Sequence, residues 1–228
     1  MNGNKNAIVL CSGGLDSVTT AFYVKYKLKY GYIIILFFNY GQRALTNERK
    51  CAYKCSKKLK ARFLEITLPG LRNISNSLIN KKGSIKRINY NDLKDTKKES
   101  EKYYVPCRNT IFLAYALALA EAEFIKTGKR NDIFVGFKCE GKDSYPDTTL
   151  KFLNSINKLS KISTKGFKVY APLIKKDKED IIVLAKKLEV NFKNTFSCYA
   201  PINNKSCGYC LSCQLRKAGF YWANIQDI

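Results

Sequence analysis

Three features of the sequence predict a doubly wound α/β domain with a mostly parallel sheet. Short, wholly apolar runs of strand length recur along the chain, each is followed by a stretch of helical periodicity, and a cysteine-rich tail shows neither pattern. Strands apolar on both faces belong to a sheet covered by helices on both sides, and strand–helix alternation makes neighbouring strands parallel. At 228 residues, 46% hydrophobic and 26% charged, the chain is long enough to bury one such core without disulfides.

Taken in order, the first strand is expected over residues 7–11 and its helix over 15–29, where Val18, Ala21, Phe22 and Leu28 share a face. A fully apolar strand over 32–38 follows, then the loop Asn39-Tyr40-Gly41-Gln42, a helix over 45–60 and a third strand over 62–67. Between 71 and 104 the chain turns polar, rich in Lys and Asn and weakly periodic, which reads as an insertion or mobile flap rather than core. A strong helix over 106–126 places Ile111, Ala114, Tyr115, Ala118 and Leu119 on one face. A buried strand over 132–137, a polar loop over 138–147, a helix over 149–161, a strand near 168–171 and a helix over 178–188 complete the alternation. Residues 196–214 have no sheet pattern and carry clustered cysteines. The expected division is an α/β domain over 1–190, with the polar insertion at about 71–104, and a small C-terminal cysteine segment over 191–228.

Composition narrows the chemistry. The chain contains no histidine, which excludes the Ser-His-Asp triad, the Cys-His pair, HExxH hydrolysis and His-ligated zinc fingers. The formal net charge of +23 would suit a polyanion, but the basic residues are mostly Lys scattered through every segment, so no dedicated nucleic-acid surface is expected. No run of about 18 apolar residues is present, and the short apolar run near the N-terminus stops at a glycine pair, unlike a signal peptide. Nine cysteines, an odd number, argue for reduced thiols and a cytoplasmic location. Cys11, Cys51 and Cys55 are expected in the core; Cys107 and Cys139 fall near predicted strand ends or helix starts, where ligands bind in doubly wound sheets.

Two constellations carry chemistry. The first is Ser12-Gly13-Gly14-Leu15-Asp16-Ser17, where the first strand ends and the first helix begins. Two glycines let the backbone turn tightly and approach a ligand, the helix start presents unpaired N–H groups, and Ser12 and Ser17 add hydroxyls, a setting for phosphate or pyrophosphate. The lysine of a Walker A loop and the spacing of a dinucleotide fingerprint are both missing. Asp16 must then either hold magnesium or bind loop amides. The second constellation is Cys198 with Cys207-x-x-Cys210-x-x-Cys213, four thiols within sixteen residues. They can close a tetrahedral sulfur site with no vacancy for substrate, hence structural, with Lys205, Arg216 and Lys217 offsetting its charge. An iron–sulfur cluster and a redox pair are the alternatives.

The SGGxDS turn resembles the pyrophosphate-binding loop of the N-type ATP pyrophosphatase superfamily. With the cysteine quartet the chain resembles, from end to end, the 7-cyano-7-deazaguanine synthase (QueC) family. The matching segments are SGGLDS at 12–17, NYGQR at 39–43, VPCRN at 105–109, YPD at 145–147, APL at 171–173 before Lys178, and SCY and CGYCLSCQLR within 197–216. The resemblance implies an adenine nucleotide alpha hydrolase-like (HUP) fold and an ATP-dependent carbon–nitrogen ligase of queuosine biosynthesis, acting as a homodimer. It would join 7-carboxy-7-deazaguanine and ammonia through an adenylated acid, an amide and a second activation that leaves the nitrile. ATP with Mg2+ would be held by Cys11, Ser12, Gly13, Gly14, Leu15, Asp16, Ser17, Val18, Thr19, Thr20 and Ala21. Asp16, Arg108 and Asp147 would be catalytic, Arg108 meeting the substrate carboxylate or leaving phosphate and Asp147 the guanine-like edge or magnesium, while Cys198, Cys207, Cys210 and Cys213 would bind Zn2+. The chain departs from the family pattern at Cys107, where glycine is usual, at Asn39, where aspartate is common, and across residues 141–148. A tRNA-thiolating pyrophosphatase or a paralogue stopping at the amide are the competing readings, and a nucleotide-binding module without catalysis is the competing class.

Overall fold

A computed structural model of the chain describes residues 5–138 and 145–227. Its sheet has five strands, β1 (Asn6–Leu10), β2 (Tyr32–Asn39), β3 (Arg62–Thr67), β4 (Asn131–Phe134) and β5 (Val169–Tyr170), in the order β3-β2-β1-β4-β5. Every pairing is parallel. The helices are α1 (Leu15–Tyr26), α2 (Leu45–Leu59), α3 (Pro69–Ile74), α4 (Lys97–Glu101), α5 (Arg108–Thr127), α6 (Leu150–Ser163), α7 (Lys178–Lys187) and α8 (Leu211–Trp222). The predicted class therefore holds, and most element boundaries fall within a few residues of those expected.

The period-two alternation of the strands divides the core into two layers. Ala7, Val9, Ile33, Ile35 and Phe37 pack under α1, α2 and α7, whereas Ile8, Leu10, Ile34, Leu36 and Phe38 pack under α5 and α6. From central β1 the chain winds outward through β2 and β3, then returns through α5 to β4 on the other side of β1. The connections leave β1 and β4 in opposite directions, opening a crevice at their carboxyl ends, where ligands bind in sheets of this kind.

Two expectations are corrected. The fourth strand, expected to reach residue 137, ends at Phe134. A side chain at Gly136 would come within 3.0–3.2 Å of Ser17 N and Cα and Asp16 C, so only a glycine backbone passes this closely over the start of α1. The polar stretch from 71 to 104 is not excluded from the core: Leu71, Ile79, Ile88 and Tyr103 are buried in the α5-side layer. Arg43 N donates to Ile79 O at 2.8 Å, Asn80 Nδ2 to Tyr40 O at 3.0 Å and Leu78 N to Lys102 O at 2.9 Å. Its apolar anchors are single residues separated by polar ones, which leaves no periodicity to read.

α8 crosses α7 at Gly219, where any side chain would collide with Lys178 Cγ. Phe220 packs edge-on against Phe192 at 4.8 Å, tying the C-terminal segment into the α1-side core. Among the described residues no helix is long and apolar enough to cross a membrane.

Candidate active site

A cavity of about 360 Å3 opens at the carboxyl ends of β1 and β4. Cys11, Ser12, Gly14, Leu15, Asp16 and Ser17 line one side of it. Gly13 has φ +79°, and a side chain there would strike the Glu48 carbonyl and lie 2.9 Å from Cys51 Cβ, so the turn is closed to anything but glycine. Ser17 Oγ donates to Gly14 O at 3.0 Å and lies 3.3 Å from Ser12 Oγ. No side chain caps the α1 N-terminus, which follows Gly14 in extended conformation. Its first-turn N–H groups have no partner within the helix and carry the positive end of its dipole. Gly13, Val18, Thr19, Thr20 and Ala21 do not line the cavity: Thr19 and Thr20 turn their hydroxyls back onto Leu15 O and Asp16 O at 2.7 and 2.9 Å, and Val18 and Ala21 are core residues.

Asp16 neither binds loop amides nor stands open. Both its oxygens accept from Lys178 Nζ at 2.7 Å, a pair 24% and 19% exposed on the cavity wall. Lys178 was not singled out as a site residue from sequence; the close passage of α8 at Gly219 seats it.

Across the cavity stand Arg108, Asn109 and Phe112 of α5. The Arg108 guanidinium sits 6.0 Å from the Tyr40 ring centre. Burial works against its charge, but Tyr40 and Asp147 outweigh that and hold it above the ordinary arginine range. Asp147 is buried and absent from the cavity wall; its carboxylate accepts from Asn109 N at 3.3 Å and its carbonyl from Asn109 Nδ2 at 3.2 Å, so it fixes the first turn of the helix that carries Arg108. Cys107, one residue earlier, is exposed at φ +52°, a left-handed conformation that explains why glycine suits this position. Cys139 and residues 141–144 lie outside the described residues.

Aromatic rings make the apolar floor. Phe38 stacks on Phe112 at 4.1 Å with the planes 7° apart, and Tyr40, Phe137, Tyr145 and Tyr199 complete it. Glu48, also on the wall, was not expected from sequence. Gln42 Nε2 donates to its Oε2 at 3.1 Å, while Gln42 is itself held by Phe38 O and Tyr40 N, both at 2.9 Å. Burial pushes the Glu48 carboxyl up to about 7, against the lowering effects of Gln42 and Arg108. The polar stretch contributes Ile79, Thr96 and Ser100.

The four sulfurs of Cys198, Cys207, Cys210 and Cys213 lie within 4.8 Å of one another. Neighbouring pairs are 3.5, 3.9 and 3.5 Å apart, against the roughly 3.8 Å edge of a tetrahedron with 2.3 Å zinc–sulfur bonds. Gly208, at φ +78°, closes the first CxxC turn, and Cys207 N and Cys210 N donate to Cys198 Sγ and Cys207 Sγ at 3.3 and 3.4 Å, as they would to thiolates. Hydrogen bonds from Cys198 and Cys210 hold the Cys213 thiol far below its ordinary value, while the neighbouring sulfurs push Cys210 far above it. The donor set fits a metal ion. Of the cations expected near it, Lys217 reaches Gly208 O at 2.8 Å, whereas Arg216 turns to Asp227 at 2.7 Å and to the cavity. The residues flanking the first sulfur supply Phe196, Ser197 and Tyr199 to the cavity wall, and Phe196 N donates to Gly13 O at 2.9 Å.

A parallel sheet of this order, with a glycine turn feeding an uncapped helix at its switch point, defines the adenine nucleotide alpha hydrolase-like class. A solved structure of a U34-tRNA thiolase from Methanococcus maripaludis shares this fold with a TM-score of 0.50 at 17% identity, covering 97% of this chain and 66% of its own. Within that class, the family described as "Queuosine biosynthesis protein QueC" matches residues 6–224, and the chain belongs to it. A 7-cyano-7-deazaguanine synthase of Rickettsia bellii is 36% identical over 227 residues, covering 98% of this chain and 96% of that protein. One of Methanosphaera stadtmanae is 37% identical over 226 residues, covering 97% and 96%.

Proposed function

We propose that this chain is a cytoplasmic, ATP-dependent carbon–nitrogen ligase. It converts 7-carboxy-7-deazaguanine and ammonia into 7-cyano-7-deazaguanine through an adenylated acid and an amide. The observation that carries the reading is the uncapped start of α1 opening into an aromatic-floored cavity beside two cations, Lys178 and Arg108. Pyrophosphate would lie on Ser12, Gly14 and Ser17, where first-turn N–H groups and hydroxyls stabilise the charge that develops as it leaves. Lys178, oriented by Asp16, would meet the phosphates. Arg108, oriented through Asn109 by Asp147, would meet the substrate carboxylate. The planar base would lie against the aromatic floor made by the stacked Phe38 and Phe112 with Tyr40, Phe137 and Tyr199. Enclosure among these rings would shield the adenylate from water.

Among the described residues the candidate carboxylates are engaged elsewhere: both Asp16 oxygens hold Lys178, and Asp147 holds α5. Magnesium enters this reading only as the ion that accompanies ATP, and no step is routed through it. Zinc would be held by Cys198, Cys207, Cys210 and Cys213, where it contributes structure by neutralising the sulfurs. The division at about residue 190 is accordingly functional, the last segment being a metal-closed wall of the same cavity. Family likeness supports a homodimer, which light scattering would test.

The reaction is tested by incubation with ATP, magnesium, ammonium and 7-carboxy-7-deazaguanine, followed by mass spectrometry of the base. Nitrile is the expected product. Amide alone would reduce the protein to the first half of the reaction, and unchanged acid would overturn the assignment.

A further inference from the structure

Both halves of the proposed reaction remove protons from nitrogen. At neutral pH ammonia is present mainly as ammonium, whose nitrogen has no free electron pair until a proton is taken away. In the second half, the adenylated amide becomes a nitrile only as both of its N–H protons depart. A chain without histidine needs another base near neutrality, so the cavity wall must be searched for one.

Among the described residues, the charged groups on that wall are Asp16, Glu48, Lys178, Arg108, Arg216 and Lys138. Asp16 is held at both oxygens by Lys178, and the others except Glu48 are cations. Glu48 lies in the first turn of α2, its backbone carbonyl against Gly13 of the glycine turn, and its carboxyl is within the electrostatic reach of Arg108 on α5 and Tyr40 before α2. It therefore stands between the place proposed for phosphate and the place proposed for the substrate carboxylate. Gln42, pinned by Phe38 O and Tyr40 N, orients one of its oxygens.

We infer that Glu48 is the general base of both nitrogen steps. Its carboxylate takes a proton from ammonium, and the freed electron pair forms the C–N bond to the acyl carbon. The carbon–oxygen bond to AMP then breaks with its electrons on the phosphate oxygen, and a second nitrogen proton passes to solvent to give the amide. After Glu48 has passed its proton to solvent and the amide oxygen is adenylated, one of the two nitrogen protons is lost to solvent, and Glu48 accepts the other as the carbon–oxygen bond to this second AMP breaks with its electrons on the phosphate oxygen and the triple bond forms. Burial, which brings this carboxyl to about 7, matches its proton affinity to the task.

This inference rests on the ligase reading, and the test separates the two. Exchange of labelled pyrophosphate into ATP in the presence of 7-carboxy-7-deazaguanine reports adenylation alone, with no proton taken from nitrogen. Glu48→Gln keeps the shape and an oxygen for Gln42, so exchange should remain within about threefold of wild type while ammonia-dependent turnover falls about 100-fold or more. At fixed total ammonium, nearly all of it protonated below about pH 8, wild-type turnover should lose activity below about pH 7, and this break should vanish in the variant. Unchanged turnover in Glu48→Gln, or a parallel loss of exchange and turnover, would overturn the role of Glu48. No exchange in the wild type would instead overturn the ligase reading on which it rests.

Discussion

The glycine turn and the cysteine clip are both tight constellations at helix starts, yet they are held by opposite physics. Residues 12–17 are ordered by the chain itself, through Ser17 Oγ to Gly14 O, Phe196 N to Gly13 O and a φ that only glycine adopts freely. The clip gathers four sulfurs whose ionised forms repel one another, an arrangement that fits a metal cation. On the proposed reading, the turn is preorganised for an anion, whereas the clip would be completed by a cation. The two are also mechanically joined, because the clip's leading segment hydrogen-bonds Gly13.

The largest effect should come from breaking the clip. Cys210→Ser is expected to abolish the binding of one zinc per chain and destabilise the fold on the order of 5 kcal/mol or more, since the binding energy of a structural metal is folding energy. Metal analysis and the yield of soluble protein check this; a fully folded, metal-free variant would separate clip from fold. Next comes the turn: Gly13→Ala combines a left-handed φ with a collision against the Glu48 carbonyl and should cost about 2 kcal/mol or more in chemical denaturation, with ATP use lost.

A pH-dependent prediction concerns the strand of contacts between them. The Glu48 carboxyl rises from 4.5 in the unfolded chain to about 7 in the fold, so the folded protein binds more protons in that window. Its contribution is fully present below about pH 4.5, declines as pH rises, and is gone above about pH 7. Glu48→Gln removes this penalty, so the variant should gain on wild type by up to about 3 kcal/mol between pH 4.5 and 8 in urea titrations. A constant difference across that range would contradict the burial of the charge. The smallest effect is at Cys107: its φ of +52° favours Cys107→Gly, which should raise stability by about 0.5–1 kcal/mol in the same measurement.

What the sequence disclosed follows the same division. Strands, helices, the glycine turn and the quartet of cysteines are local patterns, written within a few residues, and all were legible. Lys178 carried no local sign of its role, because its partner Asp16 lies 162 residues away and its placement depends on Gly219 of α8. Glu48 looks like any acidic residue in the first turn of a helix, and only the closing of the cavity around it raises its proton affinity. Asp147 matches a family motif that implies a role toward the base or magnesium, and in the structure its carboxylate accepts from Asn109 N in the first turn of α5. The stretch from 71 to 104 misled for a simpler reason: isolated anchors such as Ile79, Ile88 and Tyr103 bury as well as periodic ones but give no repeat to detect.

The central claim, that the bend after β1 grips the phosphates of ATP, is tested most directly by a crystal structure of the protein soaked with ATP. The account predicts triphosphate density against the N–H groups at the start of α1, with Ser12, Ser17 and Lys178 in contact. A bend left empty while adenosine occupies another part of the molecule would contradict it.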